Sequence, residues 1–267
     1  MEIVIFGCGN LASAFVRGVI GRRMAPRPQF TLVSRRPERA AALADEFGVP
    51  SLTQLSKRIA PEALAVLGVK PQDFTTAAAQ LKPFLNPGQR VLSFMAGVRM
   101  SQIQAELGDV RVIRSMPNLP FLVGEGMTVF AAGEGVSEAD VAQVTALLDC
   151  CGRYLRVEDE GLLDAATAIS GTGPAYVFLL AEMLTNSAQK LGYAEDEALL
   201  LVAQTFSGAL ELMKHGTKSP AELRAMVTSK GGTTAAAMAT YASNGFAEAF
   251  HEGVVAAKAR SEELSRQ

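Results

Sequence analysis

The sequence has few of the residues from which metal sites, disulfide frameworks and aromatic binding surfaces are built. Its 267 residues include no Trp, two His and three Cys, and aromatic residues make up 6% of the chain. The cysteines, Cys8, Cys150 and Cys151, are odd in number and two of them are adjacent, so we expect no disulfide framework. The histidines and acidic residues show no spacing typical of metal ligands, so we also expect no metal site.

A strong net charge and long apolar runs are absent as well. The chain has 25 Lys and Arg against 27 Asp and Glu, a formal net charge of −2, and no basic stripe that would indicate nucleic-acid binding. No apolar run reaches the roughly 18 residues that a membrane helix needs. The first seven residues lack the basic start and long apolar core of a signal peptide. These absences predict a cytoplasmic protein with no nucleic-acid or membrane partner.

A glycine-rich turn directly follows the first predicted strand. The strand is the short β-branched run Glu2–Phe6, and an amphipathic helix begins just after the turn. Strand, Gly-x-Gly-x-x-Ala and helix in this order are the fingerprint of a dinucleotide-binding βαβ unit. The first glycine makes the turn, the second admits the pyrophosphate, and Ala12 lets the helix pack closely on the strand. The cofactor-binding residues predicted here are Phe6, Gly7, Cys8, Gly9, Asn10 and Leu11.

The end of the second predicted strand, residues 30–33, indicates which dinucleotide is bound. NAD-binding proteins of this kind carry an Asp or Glu about 20 residues after the glycine turn, where it holds the ribose 2′-OH. This chain has Ser34, Arg35 and Arg36 instead, whose hydroxyl and guanidinium groups suit a 2′-phosphate. We therefore expect NADP(H) to be preferred over NAD(H). The alternative is that both arginines are merely solvated.

Two later predicted strands supply further candidate cofactor residues. The carboxyl ends of parallel strands line the ligand crevice in folds of this type. Val69, Lys70 and Pro71 end the strand predicted over residues 63–69, although Lys70 could equally be a surface lysine. Met95 and Ala96 lie at the end of the strand predicted over residues 90–97, where small residues would let a nicotinamide approach.

Strand patterns stop after residues 154–157, and from Asp159 onward the apolar residues follow helical spacing. The sequence therefore predicts an α/β fold with two domains. Residues 1–158 form a Rossmann-type NADP(H)-binding domain, and residues 159–267 form an all-helical domain for dimerisation and substrate binding. Several of the later helices are apolar on more than one face, which favours burial against another subunit.

A second candidate anion site lies in the helical part of the chain. Gly231 and Gly232 interrupt a helical region, and Thr233 and Thr234 begin an Ala-rich helix. Glycine permits close approach of a ligand to the backbone, and the first N–H groups of a helix, with the positive end of its dipole, attract a small carboxylate. The alternative is an ordinary helix–loop–helix corner with a Thr cap.

Several local motifs, taken together, resemble the Δ1-pyrroline-5-carboxylate reductase family. They are the N-terminal Gly-Cys-Gly-Asn-Leu-Ala, Val-Lys-Pro-Gln at 69–72, Arg-Ser-Met-Pro-Asn at 114–118, Ser-Gly-Thr-Gly-Pro-Ala-Tyr at 170–176 and the loop at 229–234. The likeness covers nearly the whole chain. It implies NADPH-dependent reduction of a cyclic imine to L-proline, the last step of proline biosynthesis. It also implies a homodimer, sometimes built up into a larger ring, with an active site to which both subunits contribute.

The resemblance also implies roles for individual residues. The substrate carboxylate would be bound by the hydroxyl of Ser229 and the backbone of the segment Gly231, Gly232, Thr233 and Thr234. Thr234 would be the catalytic residue, lying beside the ring nitrogen to orient it or relay a proton, and Glu160 would border the pocket. The chain departs from the family in having Lys230 where Pro is usual, which adds a cation near the carboxylate.

Two other functions are compatible with a Rossmann domain followed by helices. A β-hydroxyacid dehydrogenase would need a catalytic lysine on a helix of the second domain, for which Lys190 and Lys214 are the candidates. Neither lies in a Gly-rich motif of the kind such enzymes carry. A non-catalytic NADP(H)-sensing protein is the other alternative, and the intact active-site loops argue against it.

Overall fold

The structure is a computed structural model that describes residues 1–22 and 26–266. The chain divides into two compact units, which we describe separately. The first contains Met1–Thr172 together with the end of the chain from Ala257, and the second contains Gly173–Ala256. Among the described residues, no helix has both the length and the apolarity to span a membrane.

The first unit is built on an eight-stranded sheet with the order β3-β2-β1-β4-β5-β6-β7-β8. Its strands are β1 (Glu2–Phe6), β2 (Gln29–Val33), β3 (Ser51–Leu52), β4 (Leu64–Leu67), β5 (Gln89–Ser93), β6 (Val110–Met116), β7 (Gly126–Ala132) and β8 (Gly152–Arg156). The strands from β3 to β6 pair in parallel, whereas β7 runs antiparallel to β6 and β8 parallel to β7. This is the Rossmann order with two added strands, and it reverses direction between β1 and β4, where such folds bind dinucleotides.

Helices cover both faces of this sheet. They are α1 (Asn10–Gly21), α2 (Pro37–Phe47), α3 (Phe74–Leu81), α4 (Met100–Leu107), α5 (Glu138–Leu148) and α6 (Leu162–Ala166), the last continuing into a π-helical turn at Thr167–Gly171. Because side chains alternate across a strand, β1 sends Ile3 and Ile5 into one core and Val4 and Phe6 into the other. Burial on both faces explains the continuous apolar runs in the central strands.

The second unit is entirely helical in its regular structure. It comprises α7 (Gly173–Lys190), α8 (Glu195–His215), α9 (Pro220–Met226), α10 (Thr233–Ser243) and the first part of α11 (Phe246–Leu264). Among its described residues, only Ala198 and Val202 are buried apolar side chains, whereas Phe178, Leu200 and many other large ones are exposed.

The end of α11 belongs to the first unit because a buried polar cluster holds it there. The hydroxyls of Ser261 and Ser265 both donate to Oδ1 of Asp164, at 2.8 and 3.1 Å. Asp164 is also 3.8 Å from the guanidinium of Arg114. The last strand among the described residues ends at Arg156. The first compact unit nevertheless runs on to Thr172 and also contains the end of the chain from Ala257. The domain boundary expected after residue 158 stays a prediction.

Candidate functional site

An open cleft of about 1050 Å³ lies in the first unit at the carboxyl ends of β1, β2 and β4. Most of the predicted cofactor residues line it, namely Phe6, Gly7, Cys8, Gly9, Ser34, Arg35, Arg36, Val69 and Lys70. They converge because parallel strands deliver their carboxyl ends to one edge of the sheet, where the order reverses. The cleft therefore joins three sequence segments that were predicted separately.

The remaining predicted cofactor residues do not line this cleft. Asn10 and Leu11 form the first turn of α1, and Pro71 begins a 3-10 turn that follows Lys70. Strand β5 ends at Ser93, earlier than expected, so Met95 and Ala96 lie beyond it. The Met95 side chain is 1% exposed and packs in the core, so it contributes no surface to a ligand.

The glycines at the cleft serve two different needs. Gly7 has φ +84°, and a Cβ there would lie 2.5 Å from Cγ1 of Val69, so the fold itself requires glycine. A Cβ on Gly68 would likewise lie 2.4 Å from the carbonyl oxygen of Gly7. Gly9 is different, because its φ of −76° suits any residue and a Cβ there would meet no protein atom within 4 Å.

The open space at Gly9 fits a dinucleotide. Gly9 precedes α1, which has no side-chain cap and no acidic residue in its first turn. The first N–H groups of such a helix are available to an anion, and its dipole attracts one. A pyrophosphate is the group that glycine would admit at this position, so the residues present suit NADP(H) or NAD(H).

Sequence reasoning missed Arg39, which lines the cleft from α2. Its guanidinium donates to the carbonyl oxygen of Cys8 at 3.2 and 3.3 Å and to the hydroxyl of Ser13 at 2.9 Å. It therefore holds the glycine-rich turn against α2. The available signal was its place in the first turn of α2, directly after the Arg35 and Arg36 pair that follows β2.

The thiol of Cys8 is a packing group. Cys8 is buried, and burial raises the pKa of its thiol to about 12, although the nearby Arg39 guanidinium opposes the shift. Because the thiolate is the reactive form of cysteine, this side chain is inert at neutral pH. Within the described part of the chain, no group of three or more His, Cys, Asp or Glu could hold a metal ion.

The predicted substrate loop lies in the second unit and precedes α10. Gly231 has φ +74°, a left-handed conformation that favours glycine. A Cβ on Gly232 would lie 2.3 Å from Oγ of Ser229, so the hydroxyl occupies the space that glycine leaves. Gly232 is the N-cap of α10 and no side chain caps this helix, so the Thr cap of the alternative is absent, and the substrate-binding role of the loop stays a prediction. Thr233 is exposed and Thr234 half-buried.

Glu160 is engaged in the first unit rather than free. Its carboxylate accepts hydrogen bonds from the backbone N–H of Met100 at 2.8 Å and from the guanidinium of Arg114 at 3.0 Å. Asn118 is similarly engaged, because its amide donates to the carbonyl of Ser170 and accepts from the N–H of Met127. Both side chains hold backbone segments in place, and Asn118 joins β7 to the π-helical turn that contains Ser170.

Comparison with known proteins places the chain in a family. Residues 160–264 match the family model described as pyrroline-5-carboxylate reductase dimerisation, and residues 2–97 match the one described as NADP oxidoreductase, coenzyme F420-dependent. The chain is 36% identical over 267 residues to the pyrroline-5-carboxylate reductase of Pseudomonas aeruginosa, covering 100% of this chain and 97% of the relative. The chain belongs to the pyrroline-5-carboxylate reductase family.

Other members of the pyrroline-5-carboxylate reductase family show the same full-length relationship. The Arabidopsis thaliana reductase is 33% identical over 265 residues, covering 99% of this chain and 96% of the relative. The solved structure of the Coxiella burnetii reductase matches with a TM-score of 0.89 at 32% identity, covering 100% of this chain and 98% of that one. The resemblance inferred from motifs and the predicted fold class are thus confirmed, and the protein is an oxidoreductase.

Proposed function

We propose that this protein catalyses the NADPH-dependent reduction of 1-pyrroline-5-carboxylate to L-proline. The observation that carries the proposal is the relationship over the whole chain to curated pyrroline-5-carboxylate reductases at 30–36% identity. The glycine-lined cleft in the first unit and the uncapped α10 in the second supply one anion site each, as a dinucleotide and a carboxylate substrate require.

NADPH supplies the hydride for the reduction. The turn at Gly7–Gly9 would hold its pyrophosphate, while Ser34, Arg35 and Arg36 would receive the 2′-phosphate. A preference for NADPH over NADH is supported by the absence of an acid at the end of β2 and by the guanidinium groups in its place. Ala96, which is half-buried, would border the nicotinamide, whereas the buried Met95 would support it from the core.

The substrate's carboxylate would be bound by the Ser229 hydroxyl and the first N–H groups of α10. A protonated imine is already an electrophile, so the hydride step needs no strong general acid. A chain with only two histidines suits that demand, whereas a carbonyl reductase needs a donor for the developing alkoxide. Thr234 would orient the ring nitrogen, and positioning would supply most of the catalysis. Glu160 would contribute indirectly, by holding the guanidinium of Arg114 in place through their hydrogen bond.

The active unit would be a homodimer. The match of residues 160–264 to a dimerisation model and the exposed apolar side chains of the second unit support this. In this arrangement the substrate loop of one subunit completes a site at the cleft of its partner. Assembly of dimers into a larger ring and a cytoplasmic location remain predictions from the sequence.

A turnover assay tests the proposal directly. Consumption of NADPH or NADH would be followed at 340 nm with 1-pyrroline-5-carboxylate and with its six-membered homologue. We expect turnover of the five-membered imine, with a higher kcat/KM for NADPH. Failure to reduce either imine with either cofactor would refute the proposed reaction, and a higher kcat/KM with NADH would refute the cofactor preference.

Replacing Thr234 by Ala tests its role in the site. Loss of an orienting hydrogen bond should lower kcat/KM by about tenfold or more while leaving NADPH affinity unchanged. Thr240→Ala is the matched control, because Thr240 lies on the same helix and its hydroxyl bonds only the carbonyl of Ala236 within the described residues. Unchanged kinetics in the Thr234 variant would remove this residue from the active site.

A further inference from the structure

The cleft of the first unit has an uneven distribution of charge. Four cationic side chains line it, those of Arg35, Arg36, Arg39 and Lys70. Among the described residues that line the cleft, Asp73 is the only acidic one. It ends the 3-10 turn after β4, whereas the arginines follow β2, so it faces them across the crevice.

The three arginines at the cleft differ in whether their side chains have a partner. Arg39 is committed to the glycine-rich turn through its bonds to Cys8 and Ser13. Arg36 is exposed, and its side chain makes no hydrogen bond or ion pair within the described residues. Arg35 pairs with Asp73, with Nη2 lying 3.2 Å from Oδ1. A 2′-phosphate bound at this edge of the cleft can therefore bind the Arg36 guanidinium without displacing another group. It must compete with the Asp73 carboxylate for Arg35.

We propose that Asp73 is a specificity-determining residue that weakens the preference for NADP(H) by competing with the 2′-phosphate for Arg35. The inference rests on the proposed use of NADP(H) at this cleft. Both side chains of the pair are partly solvated, with exposures of 57% and 38%, so the pair is weak enough to be displaced. The Asp73 carboxylate also repels a phosphate bound nearby, since both groups are anions. NAD(H) has no 2′-phosphate and does not need Arg35, so its affinity is not set by this competition.

Asp73 contributes little else that a substitution would disturb. It occupies the N-cap position of α3, but its side chain makes no capping hydrogen bond there. Asp73→Asn and Asp73→Ser both remove the charge and keep residues that are favourable at an N-cap. Asp45→Asn is the matched control, because Asp45 is exposed on α2, does not line the cleft and has no ion pair within the described part of the chain.

Binding of NADP⁺ and NAD⁺ to the full-length protein, measured by calorimetry, tests the inference without relying on turnover. Both Asp73 variants should bind NADP⁺ about two- to fivefold more tightly, the factor that corresponds to an exposed ion pair of up to about 1 kcal/mol. The affinity of both Asp73 variants for NAD⁺ should be unchanged, and Asp45→Asn should alter the affinity for neither cofactor. The gain in NADP⁺ affinity should shrink as the salt concentration is raised. Unchanged or weaker NADP⁺ binding, or an equal gain for NAD⁺, would overturn it.

A double-mutant cycle with Arg35→Gln shows whether Asp73 acts through Arg35. In the Arg35→Gln background, neutralising Asp73 should give less gain than in the wild type, and an undiminished gain would contradict competition for that guanidinium. Absence of imine turnover alongside the expected NADP⁺ result would refute the proposed reaction and leave this inference standing. Absence of any NADP⁺ binding by the wild type would overturn both.

Discussion

At the residue scale, Arg39 connects the start of α2 to the glycine-rich turn. It bonds the carbonyl oxygen of Cys8 twice and the hydroxyl of Ser13 once, and no other side chain in the described residues donates to that carbonyl. The turn carries the open position at Gly9, where the cofactor's pyrophosphate would approach. We therefore expect Arg39 to act as a positioning residue for the part of the cofactor that NADP(H) and NAD(H) share.

Replacing Arg39 by Gln should weaken both cofactors to a similar extent. Loss of these hydrogen bonds to a charged donor costs about 1.5 kcal/mol or more, which corresponds to roughly tenfold or more in Kd. Calorimetric titration with NADP⁺ and NAD⁺ measures both values. Arg17→Gln is the control, because Arg17 is an exposed arginine on α1 whose ion pair with Glu46 lies outside the cleft. A loss confined to NADP⁺ would instead make Arg39 a ligand of the 2′-phosphate.

At the scale of elements, α5 is joined to the starts of β5 and β6 by one carboxylate. Asp140 accepts from the Ser137 hydroxyl at 2.8 Å and from the Arg111 guanidinium at 2.6 Å, and it lies 3.2 Å from Nη1 of Arg90. Burial by itself raises the pKa of Asp140. The hydrogen bonds from Ser137 and the charges of Arg111 and Arg90 together outweigh it, so the pKa lies below its ordinary value of 3.8.

This carboxylate should contribute stability that depends on pH. Because the pKa is lowered in the folded state, the contribution is fully present above pH 3.8 and is lost as the pH falls through the folded value. Asp140→Asn should lower the free energy of unfolding by about 3 kcal/mol at pH 7, since two guanidinium groups lose their carboxylate partner. The wild-type and variant values, from denaturant titrations, should converge in acid. A stability difference that does not depend on pH would refute the assignment of the effect to the Asp140 carboxylate. The control variant Asp45→Asn should have the same free energy of unfolding as the wild type.

Individual elements show how far the sequence could lead. Local patterns are enough for β1, whose bounds are the expected ones, and for the start of α10 at Thr233, because β-branched residues mark the first and a pair of glycines precedes the second. The end of β5 could not be predicted, since Phe94 and Met95 continue an apolar run but are buried by packing beyond the strand. The pairings of Arg35 with Asp73 and Arg39 with Cys8 join separate segments, so no local pattern contains them.

At the scale of the whole molecule, the two units differ in what they bury. The first unit has a core on each face of its sheet. The second unit leaves large apolar side chains such as Phe178 (59% exposed) and Leu200 (70% exposed) on the surface of its helices. Large apolar side chains exposed in such number favour an interaction surface. In the proposed homodimer, the helical unit is therefore the part of the chain that we expect to bury its apolar side chains against a second copy, whereas the cofactor cleft is lined by residues of the first unit.

Replacing Leu200 by Glu should separate assembly from cofactor binding. In a two-fold symmetric dimer the change acts twice, and at about 2 kcal/mol per buried leucine it should weaken association by roughly a thousandfold. Analytical ultracentrifugation should show monomers, imine turnover should fall with the dimer, and NADP⁺ should bind with unchanged affinity. Leu155→Glu is the matched control, because Leu155 is 52% exposed on β8 of the first unit. A Leu200→Glu protein that stays dimeric would exclude this face of α8 from the interface, and a monomer with full turnover would show that the active site needs no partner.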